Sequence, residues 1–261
     1  MRASIPANSK LSSTASRSVL TRASRRSRYS GIGKLPTIKS SLNPCSAFYS
    51  RGSNPRHRNR MSIVNKLRVN PSAVAQSTAI LTGPTPGHFA GVQQGDRCSI
   101  TATQVNSGLY SLNAVQHQGT DYFFPWLQRS FTWVRVPKPV SDGTIVLTGG
   151  VNGCTLVVSE DAGAYYFYHD GDSKYLKPGD IAGNVVSRIG PADYDPNDDL
   201  FTVFNGFVRS YAATGRDPGG AFDYGLYVFY VRVGGRFEAI KTGVISIGTP
   251  TGYVGNKIDE F

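Results

Sequence analysis

The stretch Leu147-Thr-Gly-Gly-Val-Asn-Gly-Cys-Thr-Leu-Val-Val-Ser-Glu-Asp-Ala-Gly-Ala-Tyr-Tyr-Phe-Tyr-His-Asp-Gly171 decides the expected fold of this 261-residue chain. Two runs rich in β-branched and aromatic residues, 155–159 and 164–168, flank a four-residue connection that contains a glycine. Runs of this composition around a short loop are typical of a β-hairpin. The segment therefore predicts two antiparallel strands.

The expected register of this hairpin places a cysteine opposite a histidine. If Ser159 pairs with Ala164, the same pairing extends outward to Cys154 and His169. Directly opposed residues lie on one face with Cβ atoms about 4.5 to 5.5 Å apart. An imidazolium at that distance would lower the pKa of the thiol and favour the thiolate, which is the attacking species. We therefore expect Cys154 as a nucleophile and His169 as its base.

The residues around Cys154 fit a nucleophile on a tight turn. Neighbouring glycines leave space for a substrate, and backbone N–H groups there could stabilise an oxyanion. Asn152, Gly153 and Thr155 are the expected oxyanion or substrate-binding residues. An alternative stays open, because a lone cysteine or histidine at a strand end is also common in an ordinary core.

The chain outside the hairpin also has the pattern of a β-rich domain. From about residue 69, short apolar runs alternate with Gly, Pro, Asn and Asp. Further strands are expected at residues 99–104, 109–115, 131–136, 143–148, 201–210, 224–233 and 236–245. Short helices are expected at 72–81 and 180–188, and Trp126 and Trp133 in the core. The expected fold is a β-dominated α/β fold, a two-sheet sandwich with long loops and few short helices.

Positive charge is concentrated at the N-terminus. Fifteen of the twenty-eight Lys and Arg precede Asp96, the first acidic residue, whereas thirteen basic and seventeen acidic residues follow, a formal −4. Residues 1–60 are rich in Ser and Arg and poor in apolar residues, which is typical of disorder. We expect a disordered basic leader at 1–60 and a catalytic domain at 61–261. The leader has few aromatic residues to stack on bases, so we do not expect it to bind nucleic acid.

Composition also excludes several classes of protein. No apolar run approaches the roughly 18 residues of a transmembrane helix, and residues 1–30 lack the apolar core of a signal peptide. Three widely spaced cysteines argue against a disulfide framework and for a reducing compartment. No histidine or cysteine spacing indicates a metal site, and no cofactor is expected.

Gly153-Cys154-Thr155, followed by an apolar strand and by Tyr-Phe-Tyr-His169 fifteen residues after the cysteine, resembles the active-site hairpin of the cytotoxic necrotizing factor glutamine deamidases. The resemblance implies a Cys154 nucleophile and a His169 base that convert a glutamine of a Rho-type small GTPase to glutamate. It also implies that a backbone carbonyl from an upstream strand orients His169, and residues 119–124 are where we expect that carbonyl.

Two functions follow as expectations. The first is a protein-glutamine deamidase toxin or effector, a monomer that is delivered by a bacterium into the host cytosol and acts on a host protein. Its leader would be an injection signal, with an organelle transit peptide as the alternative, and the same dyad could also transfer amines or cleave peptides. The second is a β-sandwich nucleic-acid-binding or capsid protein with a basic N-terminal arm.

Overall fold

Strands are the dominant secondary structure of this protein. The computed structural model describes residues 61–195, 199–214, 222–247 and 249–261, so the expected leader lies outside the described residues. Within these ranges the strands are β1 (Ala79–Pro84), β2 (Asp96–Asn106), β3 (Leu109–Gln116), β4 (Asp121–Phe124), β5 (Phe131–Pro137), β6 (Ile145–Thr148), β7 (Thr155–Glu160), β8 (Ala164–Asp170), β9 (Asn184–Ile189), β10 (Phe222–Val233), β11 (Arg236–Ile247) and β12 (Thr249–Glu260). The helices are α1 (Ile63–Val69), α2 (Pro71–Ala75), α3 (Pro191–Tyr194) and α4 (Asp199–Ala213), with 3₁₀ turns at Gly171–Ser173 and Pro178–Asp180. None of the described helices has the length and apolar composition that crossing a membrane requires.

The strands form two sheets. The larger has eight strands in the order β1-β3-β2-β4-β6-β10-β11-β12, and the smaller has the order β5-β8-β7-β9. The larger sheet curls into a nearly closed barrel, because the Thr242 hydroxyl of β11 accepts from the Ile80 N–H and donates to the Ile80 carbonyl on β1. Closure also needs glycine at position 252, where an added Cβ would lie 2.5 Å from the Ala79 Cβ. The predicted β-dominated two-sheet sandwich is confirmed.

Each face of the larger sheet has its own core. On β10, Leu226, Val228 and Tyr230 pack with residues of the smaller sheet such as Phe167. Phe229 and Val231 alternate with them and belong to the core on the opposite face, which α1 and α2 cover. This division follows from the period of two along a strand. The candidate site lies at the edge of the core between the sheets, because Cys154 belongs to that cluster.

Helices α1 and α2 begin at capping side chains. The Ser62 hydroxyl accepts the Asn65 N–H at 3.2 Å, and the Asn70 side chain accepts the Ala73 N–H at 3.0 Å. Such caps satisfy backbone donors that the first turn leaves without partners. Leu67 of α1 is fully buried against the larger sheet, so α1 is part of the folded domain.

Most of the predicted strands are confirmed. The runs at 99–104, 109–115, 131–136 and 143–148 overlap β2, β3, β5 and β6. Those at 155–159, 164–168, 224–233 and 236–245 lie in β7, β8, β10 and β11. Dense β-branched and aromatic composition was therefore a sound indicator of strands in this chain.

The strand predicted at 201–210 is wrong, because this segment lies in helix α4. Leu200, Phe204, Phe207 and Tyr211 recur at spacings of four, three and four, which matches a helical period. The helices predicted at 72–81 and 180–188 are largely wrong as well. Only Pro71–Ala75 is helical in the first segment, which then enters β1, and the second forms β9 after a 3₁₀ turn.

Candidate active site

Cys154 lies at the end of a tight turn. Its N–H donates to the Val151 carbonyl at 2.8 Å, and Gly153 has φ +83°, as the third residue of a type II turn requires. The Tyr194 hydroxyl contacts the carbonyls of both Val151 and Cys154, at 2.9 Å from the latter. A side chain from outside the hairpin therefore holds the turn and fixes the backbone at Cys154.

The hairpin register differs from the predicted one by two residues. Leu156 pairs with His169, and Thr155 with Asp170, so the predicted pairing of Cys154 with His169 is wrong. The cause is a tighter turn, in which the Asp161 carboxylate accepts the N–H groups of Gly163 and Ala164 at 2.7 Å each. These bonds shorten the connection, so that Glu160 and Tyr165 pair with each other at the end of the two strands.

A shift of two residues keeps Cys154 on the same face as His169. Side chains alternate with a period of two, so a shift of one residue would have separated them. Leu156, Cys154 and Phe124 share one core cluster, and the Phe124 ring lies edge-on to the His169 ring at 6.3 Å. Cys154 and His169 thus lie on one face of the hairpin, but no hydrogen bond joins them, because His169 bonds Thr148 and its other ring nitrogen has no partner.

His169 is fully enclosed. Its Nδ1 lies 2.8 Å from the Thr148 hydroxyl of β6, and its buried Nε2 has no hydrogen-bond partner. Burial lowers the pKa of His169 to about 3, so the imidazole is neutral at physiological pH. The carbonyl expected within residues 119–124 does not bond this ring, whose one hydrogen bond is to a side chain.

Cys154 is buried, with only 3 % of the residue exposed. The nearby backbone N–H of Asp172 and indole N–H of Trp126 act to lower the pKa of Cys154. Burial outweighs them and raises the pKa of Cys154 to about 11. The expected pair of thiolate and imidazolium is therefore wrong for this closed structure, because burial disfavours both charged forms.

The three expected oxyanion or substrate-binding residues lie beside Cys154 but are engaged in other bonds. The Asn152 amide donates to the Tyr224 carbonyl and accepts the Leu226 N–H, each at 2.8 Å. Thr155 donates to the Ser173 hydroxyl at 2.6 Å, and Ser173 donates to the Gly153 carbonyl at 3.1 Å. All three hold the turn in place, and their role towards a substrate stays a prediction.

Sequence reasoning missed three groups of the site: Thr148, Asp172 and Trp126. Thr148 and Asp172 both lie within or next to the hairpin segment, but neither residue type indicates its role. Trp126 was expected in the core, yet 42 % of it is exposed, and its indole is near enough to act on the pKa of Cys154. An exposed tryptophan beside a candidate nucleophile points to a functional residue, but this arrangement can be recognised only from the structure.

In the described part of the chain, no three His, Cys, Asp or Glu side chains come together as a metal site would require. Neither a protein family nor a curated protein matches the chain. The function is therefore inferred from the chemistry of two groups of the site, the Cys154 thiol and the unpartnered ring nitrogen of His169.

Proposed function

We propose that the protein is a glutamine deamidase that uses Cys154 as nucleophile and His169 as proton acceptor. One observation carries the proposal. A buried cysteine lies on a turn that backbone and tyrosine hydrogen bonds hold, and on the same face a buried histidine keeps one ring nitrogen without a partner. Buried polar atoms are nearly always hydrogen-bonded, so an unpartnered nitrogen at this place indicates a chemical role.

The chemistry starts from neutral groups. The sulfur attacks a carboxamide carbon as its proton passes to the imidazole, and the imidazolium then protonates the departing amine. Ammonia leaves and a thioester remains. The neutral imidazole next takes a proton from water, whose oxygen displaces the thiol and releases a carboxylate. This sequence needs no preformed thiolate.

The proposed substrate is a glutamine side chain on a host signalling protein, with a Rho-type small GTPase first among the candidates. Support comes from the resemblance of the 153–169 segment to the necrotizing factor deamidases. A host protein as target fits delivery of the chain as a bacterial effector, with residues 1–60 as the leader. Both the target and the delivery are parts of this proposal.

The test is intact-mass analysis of purified Rho-type GTPases after incubation with the protein. We expect the small mass gain that accompanies conversion of a carboxamide to a carboxylate. Cys154→Ser should abolish it, because a hydroxyl is a far poorer nucleophile at neutral pH. Cys98→Ala is the matched control, since Cys98 is equally buried but lies in the core on the opposite face of the sheet. Full activity of Cys154→Ser would remove the proposal.

A second function, a nucleic-acid-binding or capsid protein, is favoured by one observation. All fifteen Lys and Arg that precede Asp96 lie between residues 2 and 68 without a single acidic residue among them. Such a segment attracts phosphate backbones, and the attraction weakens with salt. Salt-sensitive RNA binding by the full chain, lost on deletion of residues 1–60, would support this function over the first.

A further inference from the structure

A cavity of about 670 Å³ opens between the two sheets, at the other end of β6 from the candidate active site. Thr144, just before β6, lines this cavity, whereas Thr148 at the end of β6 bonds His169. Four residues of a strand span about 13 Å, so the cavity is separate from the site around Cys154. Its volume is in the range of small-molecule sites. We call it the basic cleft, for the arginines described next.

Strand register places two arginines at the basic cleft on one face of the larger sheet. Arg97 of β2 pairs with Tyr122, and Tyr122 and Tyr230 both pair with Val146. Tyr230 belongs to the core between the sheets, so this row of side chains is directed towards the smaller sheet. Arg232 follows Tyr230 by two residues in β10 and therefore shares its face.

Arg232 is held in place by aromatic rings, yet part of its guanidinium has no partner. Its backbone N–H donates to the carbonyl of the cleft residue Thr144 at 2.9 Å. Its Cζ lies 5.2 Å from the centroid of the Phe237 ring and 5.5 Å from that of Tyr165. One Nη donates to the Tyr165 hydroxyl at 3.3 Å, but the buried Nε has no hydrogen-bond partner in the described part of the chain. Buried polar atoms nearly always have one, so Arg232 lacks an acceptor.

Neither Arg97 nor Arg232 forms an ion pair with a carboxylate of the described residues. The Arg97 guanidinium donates to the Gly119 carbonyl at 2.8 Å, and most of its five N–H donors remain available. The carboxylate of Asp142 in the cleft wall is already engaged, because it accepts two backbone N–H groups of the β10–β11 turn at 3.0 Å each. Residues 61–261 hold fifteen basic and seventeen acidic residues, so the unpaired arginines do not reflect an excess of positive charge in this domain.

The other two cations of the cleft wall are paired and hold its shape. Lys138 bonds Glu160 at 2.8 Å, and Arg68 bonds Asp121. Further donors come from the wall residues Thr120, Ser141 and Thr144, whose hydroxyls make no hydrogen bond within the described part of the chain.

The donors of the basic cleft match phosphate better than a single carboxylate. Arginine forks bind phosphate oxygens through two parallel N–H bonds, and hydroxyls can bond the remaining oxygens. Arg97 and Arg232 lie three strands apart, about 14 Å between backbones, and so approach the cleft from opposite sides. We propose that the basic cleft binds a small molecule with more than one phosphate group, held between Arg97 and Arg232. This inference does not depend on the proposed deamidase.

Calorimetric titration of the full chain with sodium tripolyphosphate, at constant ionic strength, tests the proposal. Arg97→Ala and Arg232→Gln should each weaken binding about 10-fold or more, because each removes charge-assisted hydrogen bonds. Arg188→Ala is the matched control. It removes the same charge from an exposed position opposite Val157, on the outer face of the smaller sheet, and should bind like the wild type.

The double variant Arg97→Ala/Arg232→Gln separates the cleft from the basic residues of 1–60, which also attract polyphosphate and are kept in every variant. Its difference from the wild type reports the cleft alone, and thermal unfolding checks that it is folded. Equal affinity of the wild type and this folded variant would overturn the proposal, and so would an equal loss in Arg188→Ala. Sodium citrate, which carries carboxylates only, should bind more weakly, and equal binding of citrate would overturn the assignment to phosphate. Because binding is measured without turnover, the result stands whether or not the protein deamidates glutamine.

Discussion

Burial decides the protonation of both candidate catalytic residues. The pKa of Cys154 is raised to about 11 and that of His169 is lowered to about 3, so each is neutral at pH 7. A strong ion pair would instead keep a thiolate ready in the free protein. The proposed chemistry therefore has to start from a neutral thiol and a neutral imidazole.

His169 makes stability depend on pH. Its pKa is about 3 in the folded state against 6.5 for the ordinary group. Above pH 6.5 the imidazole is neutral in both the folded and the unfolded state, so it adds no pH dependence to the free energy of unfolding. Below it, the unfolded chain binds a proton that the folded chain refuses, so the free energy of unfolding falls by about 1.4 kcal/mol per pH unit until the folded pKa is reached.

The His169→Asn variant has no imidazole to titrate, so its free energy of unfolding should lack this pH dependence. The asparagine side chain can still serve Thr148 as a hydrogen-bond partner. We therefore expect the difference in unfolding free energy between wild type and variant to shrink as pH falls through this window. Urea unfolding at a series of pH values measures it. Parallel profiles for the two proteins would show that His169 titrates normally and is not buried in the folded state.

At the scale of elements, the four strands that sequence patterns miss are three sheet edges and one short internal strand. β1 and β12 are the edges of the larger sheet and β9 is an edge of the smaller one, while β4 has only four residues. Edge strands tolerate Gly, Pro and charged residues, because one side of the strand bonds no neighbour. β12, with its Pro250, glycines and four charged or amide side chains, is an example.

Helix α1 is attached to the larger sheet by one ion pair. Arg68 bonds both oxygens of Asp121, at 2.7 and 2.5 Å, and Asp121 is only 2 % exposed. Asp121 also accepts the Ile145 N–H at 2.9 Å, so the carboxylate links α1, β4 and β6. These strands are the ones that lead to Trp126 and Thr148.

Arg68→Ala should lower the unfolding free energy by about 3 kcal/mol, because it leaves a buried carboxylate without its counter-ion. This loss is at the low end of the range for buried ion pairs, because 27 % of the Arg68 side chain is exposed. Denaturant unfolding measures the loss. Arg97→Ala is the control, because the exposed Arg97 side chain bonds only the Gly119 carbonyl at 2.8 Å and should change stability little. Equal effects of the two variants would argue against the anchoring role of α1.

At the scale of the whole molecule, the excess positive charge lies outside the described part of the chain. Residues 1–60 hold thirteen of the Lys and Arg and no acidic residue, whereas residues 61–261 hold fifteen basic and seventeen acidic residues. The described core begins with α1, whose first buried residue is Val64. The net charge of +11 therefore describes the N-terminal segment and not the domain that carries the site.

Deletion of residues 1–60 should leave a domain that unfolds cooperatively and keeps its activity on a blocked Gln-Gly dipeptide. The reason is that the caps and buried residues of α1 and α2 begin after this point. Thermal unfolding followed by circular dichroism measures the first expectation and ammonia release the second. A truncated chain that unfolds gradually would show that the N-terminal segment contributes to the core.

The sequence by itself determined the local features: a strand-rich domain, the hairpin around residues 155–168, and a glycine turn before Cys154. These depend on the period-two pattern and on backbone conformations that neighbouring residues impose. Tertiary structure alone decided the rest, including the shifted register, the edge strands and the helix at Asp199–Ala213. It also brought Thr148 to His169 and Trp126 to Cys154. Each of these contacts joins residues more than twenty positions apart, and burial, which set both pKa values, depends on what the distant strands cover.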